Sequence, residues 1–413
     1  MIRAGAQAKQ KASPVREGLF CDQDSSRARS GGTEPESNSK GQGKRKGAAG
    51  MEHRELKDAA EGAALREEME SAREYRLPAA ATIAEAKRHA AGYLAERGVD
   101  EPEDNVSLLL QHVLGRSRTE LMLGAREPFP VDRETAWNDA IRRKGRGEPA
   151  QYIAGEQWFY GRAFAVSSAV LIPRPETELL VEAVLQAADR LWPEAKGSAR
   201  AAEHPPASGQ DGAAAGAGGE AGSAAHGAAC AVPPSGPIAL DVGTGSGAIA
   251  LTLASERPGW QVYASDLSAA ALAVARANAE RLGAPARGFA EGDLLAPVLP
   301  GSGSPFEGLA VDILVSNPPY IPAADLAGLQ PEVRDYEPRL ALDGGADGLD
   351  PYRRMAEQLR GMASLPRIVA FELGIGQTRQ VAGLLEAFGW WDDIRIVTDY
   401  GGIERHVVAA RTR

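Results

Sequence analysis

The chain has 413 residues, too many for one ordinary domain, so two domains or one domain with unstructured flanks are expected. A formal net charge of −10 opposes a protein that grips nucleic acid through a broad basic face. The two cysteines, Cys21 and Cys230, lie in polar, Gly/Ala/Ser-rich surroundings; they exclude a disulfide scaffold and a cysteine-based zinc site, and fit a reducing cytoplasm.

Residues 1–78 read as a leader and linker. The first 50 hold 10 Lys and Arg against 5 Asp and Glu, which leaves −15 for the rest. They are rich in Gly, Ser, Lys and Gln without apolar periodicity, the composition of a disordered, basic, solvated tail. Met51 opens the more regular stretch Met51-Glu-His-Arg-Glu-Leu and is read as an alternative translation start, which intact mass would test. The N-terminus lacks the apolar stretch of an export signal. No apolar run reaches the roughly 18 residues of a membrane span, so a cytoplasmic protein is expected.

Residues 79–150 carry a helical pattern. Ile83, Ala86, Ala90, Tyr93 and Leu94 recur at three- and four-residue steps, as do Val106, Leu109, Leu110, Val113 and Leu114. Asp100, Glu101, Glu103 and Asp104 precede the second run, where negative charge suits a helix start, and Gly98 and Gly115 mark the breaks. A small helical bundle follows, without visible chemistry.

Residues 151–190 join it to the next domain. The aromatic and β-branched content around Gly161 predicts a hairpin. Leu171-Ile-Pro-Arg-Pro-Glu-Thr-Glu178 then predicts an extended loop, with a helix over 179–191. Arg174 and Glu178 either line a substrate mouth or cap that helix. Residues 191–236 contain 24 Gly or Ala among 46 and have too few large apolar side chains to offset their ordering entropy; a mobile insert is predicted.

From residue 237 to 413, strand and helix alternate. Buried strands are predicted at 238–242, 261–265, 289–291, 311–316 and 367–372, with helices at 248–257, 269–282 and 377–388. Strands 394–398 and 406–410 give an antiparallel ending. The fold class is therefore α/β, a Rossmann-like, mostly parallel sheet covered on both faces, whose ligands sit at the carboxyl ends of the strands.

The first strand runs into Asp241-Val-Gly243-Thr244-Gly245-Ser246-Gly247 and a helix. Glycines at alternate positions let the backbone turn sharply and approach a ligand closely. Asp266 closes the second strand 19 residues later, where a carboxylate can accept from both hydroxyls of a ribose. A pyrophosphate dinucleotide typically wants its third glycine one position later. S-adenosyl-L-methionine has no phosphate to cradle, and its cationic end suits acidic groups. Asp293 closes the third strand, placed to accept from an adenine amino group, with Leu294 packing on the ring.

Asn317-Pro318-Pro319-Tyr320 follows the fourth strand directly. Here the chain resembles class I S-adenosylmethionine-dependent methyltransferases that act on planar nitrogen, and among them the peptide chain release factor glutamine N5-methyltransferases. The resemblance extends through Arg146-x-Glu-Pro-x-Gln-Tyr-Ile-x-Gly155, Ile172-Pro-Arg-Pro-Glu-Thr-Glu178, Tyr336-Glu-Pro-Arg-Leu-Ala-Leu-Asp-Gly-Gly-x-Asp-Gly-Leu349, Glu372-Leu-Gly374 and Asp399-Tyr-x-Gly-x-Glu-Arg405. It implies a helical N-terminal domain that recognises a protein partner, and a substrate glutamine in the Gly-Gly-Gln motif of bacterial class I release factors. The Asn317 side-chain oxygen and the Pro318 carbonyl each accept one N–H of the target amide, with Pro319 stiffening the loop and Tyr320 offering a face. The insert and the basic leader depart from the family pattern. Rival readings are methylation of glutamine in another protein, such as a ribosomal protein; of exocyclic amines in nucleic acid, which the −15 beyond residue 50 opposes; and an idle cofactor-binding module, which the intact tetrapeptide opposes.

Overall fold

The computed structural model describes residues 74–193, 236–284 and 286–413. The basic leader, Met51, both cysteines and most of the Gly/Ala insert lie outside these described residues.

Helices α1 (Ile83–Ala95), α2 (Pro102–Leu114), α3 (Arg118–Leu123), α4 (Glu134–Gly145) and α5 (Ala150–Ala154) form the bundle. Capping boxes start α1 (Thr82 with Glu85) and α3 (Ser117 with Glu120), satisfying N–H groups that have no partner within the helix. Gly115 closes α2 in the left-handed conformation that a residue without Cβ adopts most easily. The predicted apolar stripes meet: Ile83, Ala90 and Leu94 pack with Val106, Leu109, Leu110 and the buried Trp137. Tyr75, ahead of the predicted boundary, joins this core, and its hydroxyl accepts from Trp137 Nε1 at 3.0 Å.

The hairpin pairs β1 (Glu156–Phe159) with β2 (Arg162–Ala165). Tyr160 and Gly161 make its two-residue turn, both at positive φ, as the right-handed twist of the strands requires. Helix α6 (Pro175–Leu191) starts four residues before the predicted position. Pro175 and Glu176 belong to its first turn rather than to an extended loop, because proline is pre-organised for that position and has no N–H to leave unpaired.

The main sheet has the order β5 (Gly288–Glu291), β4 (Gln261–Asp266), β3 (Ile238–Val242), β6 (Ile313–Ser316), β7 (Ile368–Glu372), β9 (Glu404–Ala410), β8 (Asp393–Thr398). The first five strands are parallel; β9 runs antiparallel to β7 and β8. Successive side chains point to opposite faces. Ala239, Val262, Ile313, Val315 and Ile368 pack under α6 and α7 (Ala248–Glu256), whereas Leu240, Val242, Leu314, Val369 and Phe371 pack under α10 (Asp350–Leu359) and α11 (Thr378–Glu386). Helix α8 (Ala269–Leu282) links β4 to β5, and the short α9 (Pro331–Tyr336) follows the tetrapeptide loop. Neither α9 nor α10 was expected from the pattern. Bundle and sheet belong to one unit, Tyr75–Arg413.

Candidate active site

A cavity of about 430 Å³ opens at the carboxyl ends of β3, β4, β5 and β6. Its position follows from topology: β4 and β6 leave β3 in opposite directions, so the loops after these strands part and leave a crevice. Gly243–Ser246, Asp266, Asp293, Leu294, Asn317 and Pro319 all border it, as do Arg174 and Thr177 from the start of α6. Five separated stretches of sequence thus face one space.

The glycine loop is held from beneath. Asp241 is fully buried; its Oδ2 accepts from Thr244 Oγ1 at 2.6 Å and from Ala250 N at 3.1 Å, while Oδ1 has no partner. Burial pushes this carboxyl up to about 7. Gly243, Gly245 and Gly247 all have positive φ. A Cβ at Gly243 or Gly245 would meet nothing within 4 Å, so the backbone there faces open space. At Gly247 a Cβ would press on Leu251, so this glycine also permits close helix packing. Asn278, buried on α8, ties the loop to the hairpin: Nδ2 donates to Ser246 O (2.9 Å) and Ala165 O (3.0 Å), and Oδ1 accepts from Ala165 N (2.7 Å).

Asp266 stands at the end of β4. Its oxygens accept from Gly245 N at 2.9 Å and Ser268 N at 2.8 Å, and burial raises its pKa. Asp293 is paired with Arg354 at the rim. Leu294 takes a positive φ of 54° and packs partly against the core beside it.

Asn317 follows β6 at once, and its Nδ2 donates to Thr177 Oγ1 at 3.2 Å. Pro318 is buried. Neither Pro318 nor Tyr320 borders the cavity; Tyr320 packs instead against the core under α10 and α11. Burial, then the nearby Glu372 carboxylate, pushes its hydroxyl up to about 12. The loop backbone is clamped from outside. Gln377 Nε2 donates to Tyr320 O at 2.9 Å, and Gln377 Oε1 accepts from Gly374 N at 2.9 Å. Gly344 and Gly348 approach so closely that a Cβ on either would overlap the Pro319–Tyr320 backbone.

Arg174 borders the cavity and is paired with the buried carboxylate of Glu337, which also accepts from Ile172 N at 3.2 Å. Glu178 turns away, accepting from Tyr160 N at 2.7 Å in the hairpin turn. Neither side chain caps α6, so the two expected alternatives resolve differently: Arg174 lines the mouth and Glu178 secures the hairpin. Thr177, Glu337 and Gln377 had not been singled out. Thr177 and Glu337 fall inside the quoted motifs, but their partners lie more than a hundred residues away. No local spacing signals that.

Comparison with known proteins identifies the family. A family model described as the PrmC N-terminal domain matches residues 85–155, and one described as the methyltransferase small domain matches 231–328. A release factor glutamine methyltransferase of Bacillus anthracis is 38% identical over 327 residues, 79% of this chain and 98% of that protein. The protein of the same name from Chlorobaculum tepidum is 39% identical over 326 residues, 78% of this chain and 95% of its own. That of Bacillus subtilis is 36% identical over 329 residues, 79% and 97%. With these two family matches and this degree of identity along nearly the whole length of these relatives, the chain belongs to the release factor glutamine methyltransferase family.

Proposed function

We propose that this protein transfers a methyl group from S-adenosyl-L-methionine to the side-chain amide nitrogen (N5) of the glutamine in the Gly-Gly-Gln motif of bacterial class I release factors. The observation that carries the reading is that Asn317 borders the same cavity as Gly243, Gly245 and Asp266, so an amide acceptor and a nucleoside cradle share one space.

The cavity suits the cofactor. Open space above Gly243 and Gly245 accepts its amino-acid end, and Asp266 has lone pairs left for the ribose hydroxyls. Asp293 and Leu294 take the adenine edge and ring. The buried Asp241 beneath the loop keeps one oxygen unpartnered. When bound, the cofactor supplies a methyl carbon activated by a sulfonium.

An amide nitrogen shares its lone pair with the carbonyl and is a poor nucleophile. In-line displacement requires that it be held facing the methyl carbon. Asn317 Oδ1 accepts one N–H at the cavity, and the main-chain carbonyl of the adjoining Pro318, which does not itself border the cavity, is assigned the second. These bonds strengthen as the nitrogen becomes cationic, so they favour the transition state over bound substrate. The bound cofactor would supply its methyl group to the nitrogen that Asn317 and Pro318 hold, and the amide proton would pass to water. Tyr320, kept neutral by its high pKa, is no base at physiological pH; it anchors the loop. Residues 79–150 recognise the release factor. A translation factor as partner locates the reaction in the cytoplasm.

The test uses labelled S-adenosylmethionine with a class I release factor, its Gly-Gly-Gln-to-Ala variant and total RNA in parallel. Label confined to the unaltered factor is expected; label in RNA, or in both forms of the factor, overturns the assignment. Asn317→Ala is expected to lower turnover about 10²–10³-fold, by analogy with loss of one oxyanion donor, with cofactor affinity retained.

A further inference from the structure

We propose that Thr177 is a positioning residue for methyl transfer, setting which end of the Asn317 carboxamide faces the substrate. The inference rests on the role given to Asn317 above.

A carboxamide has an oxygen end and an NH₂ end of similar size, and only the oxygen can accept an N–H from another amide. Asn317 is therefore useful in one of two rotations about its last side-chain bond. Nδ2 donates to Thr177 Oγ1 at 3.2 Å, which directs the NH₂ end to Thr177 and leaves Oδ1 for the cavity that both residues border.

Both partners are held before any substrate arrives. Thr177 is only 4% exposed and is the third residue of α6, whose start is set by Pro175. Its β-branched side chain is stiff at χ1. Arg174, one turn back, is tied to Glu337. On the other side, Asn317 is the first residue after β6, and Ser316 Oγ donates to Val242 O at 2.6 Å. A hydroxyl anchored on one element thus meets an amide anchored on another, 140 residues apart. Without that hydroxyl, the half-buried NH₂ loses that partner and the carboxamide gains by turning over. Its NH₂ then meets the substrate's NH₂, donor against donor.

Steady-state kinetics on Thr177→Val, Thr177→Ser, Asn317→Ala and the Thr177→Val/Asn317→Ala double variant test this, with calorimetric affinity for S-adenosylmethionine and Tm on each. Thr177→Val, which keeps shape and removes the acceptor, is expected to lower kcat about tenfold at unchanged cofactor affinity, the weight of one hydrogen bond. Thr177→Ser is expected to restore most of that rate. In the Asn317→Ala background the Val substitution is expected to change kcat no further. An unchanged kcat in Thr177→Val, an equal loss in Thr177→Ser, or an undiminished loss in the Asn317→Ala background overturns the inference. Undiminished turnover in Asn317→Ala alone overturns instead the role of Asn317, so the two failures are separable.

Discussion

Lys144 of the helical bundle is fully buried, and its ammonium is paired with the Glu332 carboxylate on α9, 188 residues further along the chain. Helix α9 leads directly to Glu337, which holds Arg174 at the mouth of the cavity; Tyr336 OH also donates to Arg146 O at 3.2 Å. The bundle is thereby joined to the active site through one short helix.

The two partners differ in exposure, and that sets an asymmetry. Glu332 retains 32% of its side-chain exposure and can rehydrate if Lys144 is lost; Lys144, at 0%, cannot if Glu332 is lost. Glu332→Ala is therefore expected to cost roughly 3 kcal/mol and Lys144→Met about 1–2 kcal/mol, since an unpaired buried charge is the larger penalty. Chemical denaturation of both variants measures the difference. Equal costs, or a larger loss in Lys144→Met, would contradict the pairing as described.

Gly348 has φ +77°, and a Cβ there would overlap both Tyr320 O and Gln377 Nε2. Gly389 has φ +62° but nothing within 4 Å of its Cβ position. Gly389→Ala is expected to cost only the left-handed backbone penalty, about 1–2 kcal/mol, with activity intact. Gly348→Ala adds steric displacement of the tetrapeptide loop and is expected to cost roughly 2–4 kcal/mol and most of the turnover. Tm and kcat on the pair distinguish strain from displacement.

The strands of the sheet were legible because Ile238–Val242 and Ile368–Glu372 are short buried runs bounded by turn residues. So was the glycine loop, whose spacing needs no partner to be recognised. Helix α10 carries a stripe in Tyr352, Met355, Ala356 and Leu359, but it lies in a segment to which the strand and helix pattern assigned no element. Helix α6 begins earlier than the pattern predicts because proline, which also stiffens loops, serves equally as a first helical residue. The clamps on the site were not legible. Thr177, Glu337 and Gln377 each tie separate segments together through a few hydrogen bonds or an ion pair, and such contacts leave no periodicity.

The carboxyl of Asp241 is raised by burial to about 7 from an unfolded value near 3.9. Between those values the folded chain holds a proton that the unfolded chain has released, so stability falls as pH rises. The contribution is fully present below about pH 4 and is lost as pH climbs through about 7. Cofactor-free protein is expected to lose Tm across this window, and Asp241→Asn, which cannot ionise, to show a flatter profile. Parallel slopes in a pH series of thermal melts would mean that Asp241 ionises freely in the folded chain.

The most direct test of the central claim locates the transferred methyl group. A class I release factor is incubated with the enzyme and S-adenosylmethionine, digested, and its Gly-Gly-Gln peptide fragmented by mass spectrometry. The account predicts one added methyl on the glutamine side-chain amide, absent when Asn317 is replaced by Ala. A methyl group on any other residue, or full modification by the Asn317→Ala variant, contradicts it.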